Sequence, residues 1–252
     1  MTQTMGRTLH VNDIDLYFEV HGAGEPLLLL HGLTGCGQDW VHAGRARLAE
    51  HFQLIIVDAR GHGRSTNPQR SLSHRQCAYD VLALLDALGI ARCKAVGMSF
   101  GGNILLHVAS LHRERLQAMV LVSATPYFPA QARAIMAALP PEAQPPEAWA
   151  SMRKRHQLGD DQIRALFEQQ YALKDSYDDV HFTPPELSRI GARTLIIQGD
   201  RDPLYPLELS LELYRGIPDS ALWVVPTAGH GPIFLDGAEA FVHNVLGFLR
   251  AD

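Results

Sequence analysis

Three cysteines in 252 residues, Cys36, Cys77 and Cys93, exclude most of what cysteine is used for. An odd number cannot all pair within one chain, and their scatter fits neither a disulfide framework nor a zinc site, which points to a reducing compartment. Charge is also sparse. Charged residues make up 19% of the chain, the formal net charge is -5, and the densest basic stretch is Arg153-Lys154-Arg155. Nucleic-acid binding needs clustered Lys and Arg, so this balance argues against it. Long apolar runs are missing too: the aliphatic run at residues 27–30 is far short of a membrane span, and residues 1–12 are polar with no apolar signal core. The expectation is a soluble cytoplasmic protein, a monomer or homodimer, with no nucleic-acid or membrane partner.

What the chain does have is apolar residues, at 46%, enough for one large core. They come in an alternating order. Two short runs, residues 9–11 and 16–20, flank Asn12-Asp13 and read as a hairpin. Residues 27–30 and 54–57 are apolar at every position, as in strands covered on both faces. Further strand-like runs lie at 94–96, 116–122, 194–198 and 221–225. Helical spacing appears at 38–48, 78–88 (closed by Gly89), 100–110, 207–214 and 241–249. Such alternation predicts an α/β fold: a mostly parallel sheet with helices on both faces. From residue 125 to 186 no strand-like run appears; helices are expected at 130–139, 146–157 and 160–171, as a lid. The expected division is a core of residues 1–125 and 187–252 with a helical lid at 126–186.

Gly97-Met98-Ser99-Phe100-Gly101-Gly102 joins a strand to a helix and fits G-x-S-x-G. A serine on so sharp a turn needs small neighbours two residues to either side, which Gly97 and Gly101 supply. At a helix N-terminus it also meets free backbone N–H groups. Ser99 is the candidate nucleophile, and a serine needs a base. His230, in the loop after the last strand-like run, is the candidate. The orienting acid should fall between them, where Gly199-Asp200-Arg201-Asp202 offers two aspartates; Asp202 is favoured, with Asp200 next to the strand end as a cap or a partner of Arg201. The oxyanion hole is assigned to the N–H groups of Leu33, after His31-Gly32, and Phe100. His31 is read as structural.

These pieces, with Asp58-Ala59-Arg60-Gly61-His62-Gly63-Arg64-Ser65, span nearly the whole chain. Together they resemble the α/β-hydrolase superfamily, specifically its lidded serine esterase, lactonase and haloperoxidase-like branch. The resemblance implies an eight-stranded sheet with a lid after the sixth strand, and structural roles for Asp58, Arg60 and His62. Relatives that open epoxides or carbon–halogen bonds use aspartate where this chain has Ser99, so those chemistries are not expected. The function expected is hydrolysis of carboxylic esters of small to medium acyl substrates, with no metal or organic cofactor. The pocket is expected among Cys36, Tyr127, Phe128, Leu204 and Ile233, beside Leu33 and Phe100. Lid residues Met136, Trp149, Met152, Phe167 and Tyr171 either add to it or pack the lid against the core.

Other readings use the same parts. A lactonase acting on a substrate with a free carboxylate, such as an enol-lactone of a dicarboxylic acid, would want an inward cation, which Arg153, Lys154 or Arg155 could supply only if the lid turns one inward. A C–C bond hydrolase would keep the triad, and so would a hydrolase-fold small-molecule receptor, which would lack steady turnover. A dinucleotide site at Gly32-Leu33-Thr34-Gly35-Cys36-Gly37, with Asp58 as the acid, has the wrong glycine spacing and leaves Ser99, Asp202 and His230 unexplained.

Overall fold

Period-two alternation is hidden in the apolar runs and emerges only in three dimensions. The computed structural model describes residues 6–251. In strands β3 (Pro26–Leu30) and β4 (Gln53–Val57), Leu28, Leu30, Ile55 and Val57 enter one apolar layer, while Leu27, Leu29, Leu54 and Ile56 enter the other. Both faces are therefore covered, which is why no polar residue interrupts either run. β1 (Arg7–Val11) and β2 (Ile14–His21) form the expected antiparallel hairpin, turning at Asn12 with φ 52°. β5 (Cys93–Met98), β6 (Leu116–Val122), β7 (Arg193–Gly199) and β8 (Ser220–Val225) complete an eight-stranded sheet. Its order is β1-β2-β4-β3-β5-β6-β7-β8, parallel from β4 onward.

Helices cover both faces. α2 (His74–Ala87), α3 (Phe100–Leu111) and α8 (Leu207–Gly216) bury Val81, Leu84, Ile104, Leu105, Leu209 and Leu213 on one side. α1 (Arg45–Leu48) and α9 (Ala238–Arg250) bury Leu48, Phe241, Val245 and Leu249 on the other. The single helix expected over residues 38–48 is instead a 3-10 turn, Gly37–Ala43, followed by α1. Gly44 separates them at φ 82°, where a Cβ would stand 2.1 Å from Cγ2 of Val242 in α9. The close approach of α9 dictates the break.

Between β6 and β7 lie α4 (Ala130–Ala137), α5 (Pro146–Arg155), α6 (Asp160–Ala172) and the short α7 (Pro184–Leu187). The base of this insertion is anchored in the main core through Ala132, Met136 and Leu173, and an isolated bridge joins Tyr127 to His181. Further out, α5 and α6 build a small core of their own from Met152, Ile163, Leu166 and Phe167, with Trp149 against it. His156 ties that piece back. Its Nδ1 accepts the Gly63 N–H at 2.9 Å, and its Nε2 donates to the Thr34 carbonyl at 3.1 Å. Burial pushes its pKa down to about 4, which keeps the ring neutral for this pair of bonds. No helix among the described residues is long and apolar enough to cross a membrane. Of the polar N-terminal stretch, residues 1–5 lie outside the described residues.

Candidate active site

The turn between β5 and α3 forces Ser99 into φ 49°, ψ -109°, a conformation that an L-residue adopts only when its surroundings hold it there. Its N–H donates to the Val122 carbonyl at 2.7 Å, and the Gly101 N–H donates to the His31 carbonyl at 3.1 Å. The flanking glycines are needed for space. A Cβ on Gly97 would sit 2.4 Å from the Gly101 carbonyl oxygen, and one on Gly101 would sit 2.3 Å from that of Leu30. Gly101→Ala is accordingly expected to cost about 1–3 kcal/mol by overpacking. At ~2–4 °C per kcal/mol for a chain this size, thermal denaturation should show a clear fall in Tm. Gly247, exposed in α9, serves as the contrast, because a Cβ there would have nothing within 4 Å. Gly247→Ala should raise stability by roughly 0.5–1 kcal/mol.

Three loops at the C-terminal ends of β5, β7 and β8 bring the candidate residues together. His230 Nδ1 lies 2.7 Å from Asp202 Oδ2, and His230 Nε2 lies 2.8 Å from Ser99 Oγ. An ionised Asp202 can only accept, so Nδ1 carries the proton and Nε2 is left to accept the Ser99 hydroxyl. Burial alone would raise the Asp202 carboxyl. The hydrogen bond and charge of His230, with N–H bonds from Leu204 and Tyr205, outweigh it and hold the group below its ordinary value. Gln198 Nε2 donates to Asp202 Oδ2 as well, at 2.9 Å. Asp200 is exposed on the strand side of the same loop, and its N–H closes onto the Val225 carbonyl.

The backbone N–H groups of Leu33 and Phe100 make no hydrogen bond to protein among the described residues, and both residues border the cavity that Ser99 opens into. Leu33 is held by a network below it. His31 Nδ1 donates to the Gly32 carbonyl and His31 Nε2 accepts the Ala59 N–H, at 2.7 and 3.0 Å. Asp58 accepts the N–H groups of Gly37 and Arg64, at 2.7 and 2.9 Å, which occupies the carboxylate that a dinucleotide ribose would need. Arg60 pairs with Asp80 at 2.8 Å and Asp13 at 2.7 Å, and His62 Nε2 accepts the Thr34 N–H at 3.3 Å.

The cavity above Ser99 has a volume of about 430 Å³. Of the residues expected at the pocket, Phe128, Leu204, Leu33 and Phe100 line it, and so does Met136 of the lid. Three expected wall residues do not. Cys36 is 2% exposed and packed behind the loop near Asp58, where burial pushes its thiol up to about 12. The Tyr127 hydroxyl turns away to donate to Glu212 at 3.1 Å. Ile233 is fully buried in the apolar layer on the opposite face of the sheet. Trp149, Met152 and Phe167 belong to the small core of the insertion, and Tyr171 packs under the Lys174 ammonium. Of the basic trio, Arg153 pairs with Asp160 in solvent and Arg155 pairs with Asp39 at 3.2 Å. Arg155 borders a second cavity, of about 340 Å³, that shares Gly32, Leu33 and Met98 with the first. Lys154 is exposed.

Sequence reasoning missed His74, Asn103 and Tyr205, all on the cavity wall. Tyr205 stands edge-on to His230 with ring centroids 5.2 Å apart, and its hydroxyl lies beside the Ser99 and Asn103 side chains. Asn103 had a visible signal, as an amide within the otherwise apolar start of α3. His74 had none, because its partner is 105 residues away.

The family description "alpha/beta hydrolase fold" matches residues 25–170. The chain belongs to the α/β-hydrolase family and is a hydrolase by class. It is 29% identical to 2-hydroxymuconate semialdehyde hydrolase of Pseudomonas putida, over 90% of this chain and 88% of that one. A protein of Azorhizobium caulinodans named for carbamate hydrolysis is 30% identical, over 95% of this chain and 96% of its own. Among solved structures, a meta-cleavage product hydrolase from Pseudomonas fluorescens superposes with a TM-score of 0.78 at 21% identity, covering 97% of both chains. An esterase from Rhodococcus superposes with a TM-score of 0.75 at 23% identity, covering 98% of both. At these identities the two structures speak for the fold.

Proposed function

We propose that the chain is a serine hydrolase that cleaves carboxylic esters of small to medium acyl groups through an acyl-enzyme intermediate. The observation that carries this is the unbroken hydrogen-bond chain Ser99–His230–Asp202, at 2.8 and 2.7 Å. His230 Nε2 takes the Ser99 proton as Oγ attacks the ester carbonyl, and Asp202 stabilises the imidazolium. The oxyanion rests on the N–H groups of Leu33 and Phe100, where each donor is worth on the order of 10²–10³-fold in rate. His230 returns its proton to the departing alcohol. A water molecule then attacks the acyl carbon, gives its proton to His230, and releases the acid and free Ser99. The mostly apolar 430 Å³ cavity suits the acyl part. The second cavity, across the shared Leu33 loop, suits the alcohol.

A chain-length panel of p-nitrophenyl esters beside lactones, combined with a fluorophosphonate probe, tests this reading. The expected result is labelling at Ser99 and steady turnover of short to medium esters. A stoichiometric burst without turnover would instead favour the receptor reading, and absence of both labelling and turnover would sink the proposal. A second reading, C–C bond hydrolysis on the same three residues, draws support from the similarity to 2-hydroxymuconate semialdehyde hydrolase. Turnover of 2-hydroxymuconate semialdehyde at rates far above those of esters would favour it.

A further inference from the structure

The wall of the acyl cavity carries a second histidine–aspartate pair, separate from the one that serves Ser99. His74 opens α2 and is 1% exposed. Its Nδ1 lies 2.7 Å from Asp179 Oδ2. The backbone N–H groups of His74 and Arg75 also donate to that carboxylate, at 2.7 and 3.2 Å. His107 Nε2 donates to the Asp179 carbonyl at 2.7 Å, fixing the loop from behind. Burial would raise the Asp179 carboxyl, but His74 and these N–H groups bring it down to about 2, so it stays ionised and accepts from Nδ1. The ring is clamped between Phe100 and Phe128, with centroids at 4.7 and 5.8 Å. With Nδ1 committed, Nε2 is the nitrogen left to the cavity, which His74 lines.

Asn103 lines the same cavity and is fully buried. Its Oδ1 accepts the Thr125 N–H at 3.0 Å, which fixes the orientation of the amide. Its Nδ2 is itself buried, turned toward the Tyr205 hydroxyl rather than open to the cavity. In the neutral ring of His74, Nε2 is an acceptor, and on a wall it shares with Phe100, Phe128, Met136 and Leu173 it matches a hydroxyl group, which can donate to it.

We propose that His74 forms a polar subsite for a hydroxyl on the acyl part of the substrate, with Asp179 as the residue that positions His74. This rests on the serine-hydrolase reading above and adds the substrate class: hydroxylated acyl esters rather than plain alkanoates. A pocket that hydrogen-bonds a substrate hydroxyl penalises the analogue lacking it, because the pocket's own polar groups are then left unpaired.

The test compares p-nitrophenyl hexanoate with its 3-hydroxy and 6-hydroxy counterparts in wild type and in His74→Phe. The expected result is a kcat/KM at least about tenfold higher for one hydroxy ester over hexanoate in wild type. That ratio should fall to near one in His74→Phe. A ratio near one in wild type, or a ratio that His74→Phe leaves unchanged, overturns the subsite. A purely structural role would lower both substrates together and leave the ratio in place, so that outcome also counts against it. A second measurement covers poor folding of His74→Phe or absence of esterase activity. Ser99→Ala, with His74 intact, is titrated with the methyl esters of hexanoic acid and its hydroxy counterparts by calorimetry. Tighter binding of one hydroxy ester supports the subsite, and equal affinities refute it. No turnover by wild type, together with selective binding, would reject the serine-hydrolase reading while keeping the subsite.

Discussion

Ser99→Ala is expected to lower kcat by at least ~10⁴, or about 5 kcal/mol of barrier, while leaving the fold intact. The size follows from what the substitution removes. Without Oγ there is no acyl-enzyme, and His230 keeps its position but has no proton to take. The donors of Leu33 and Phe100 remain, so catalysis by binding and oxyanion stabilisation should persist at ~10³–10⁴ over water. The backbone holds residue 99 through the bond to Val122 and through Gly101 on His31, neither of which involves the hydroxyl. Circular dichroism and Tm should therefore match wild type closely. A variant that folds and keeps more than a few per cent of wild-type kcat would mean that Ser99 is not the nucleophile.

Asp202→Asn is expected to cost on the order of 10⁴ in kcat, and Asp200→Asn less than about twofold. The surroundings decide how the amide must sit. The Oδ1 position receives the N–H groups of Leu204 and Tyr205, so it has to remain the oxygen. The NH₂ then occupies the Oδ2 position and faces His230 Nδ1 and Gln198. Gln198 can adjust by turning its unpaired Oε1 toward it. His230 can adjust only by moving its proton to Nε2, which leaves nothing to accept the Ser99 hydroxyl. Asp200 points to solvent and touches none of this. Damage from Asp200→Asn instead would mean that the acid is misassigned. The pair also makes a pH prediction. Asp202 titrates below its ordinary value, so its contribution to stability is present above pH ~3.9, the unperturbed carboxylate value, and is lost as pH falls further. Wild type should lose more stability than Asp202→Asn on acidification below pH 4, as read by denaturant midpoints.

The order of strands and helices was legible because a doubly covered parallel sheet writes itself as uninterrupted apolar runs, as at Leu27 to Leu30. Ser99, Asp202 and His230 were legible because each sits where a strand ends. Space was not legible. Gly44 broke an expected helix through contact with Val242, near the far end of the chain, and Cys36 and Ile233 lay near the site in sequence but behind it in space. His74 was invisible for the same reason: its chemistry is conferred by Asp179, and no local pattern joins them.

The two-part construction of the insertion bears on how such a protein changes over generations. α4 is welded to the main core and forms the roof over Ser99, whereas α5 and α6 carry an independent nucleus of Met152, Ile163, Leu166 and Phe167. Substitutions confined to that outer nucleus can accumulate as long as His156 keeps its bonds to Gly63 and Thr34 and Gln170 keeps its place on the cavity wall. Selection for a new substrate thus has a part of the molecule to work on that meets the part it must preserve at a few named points.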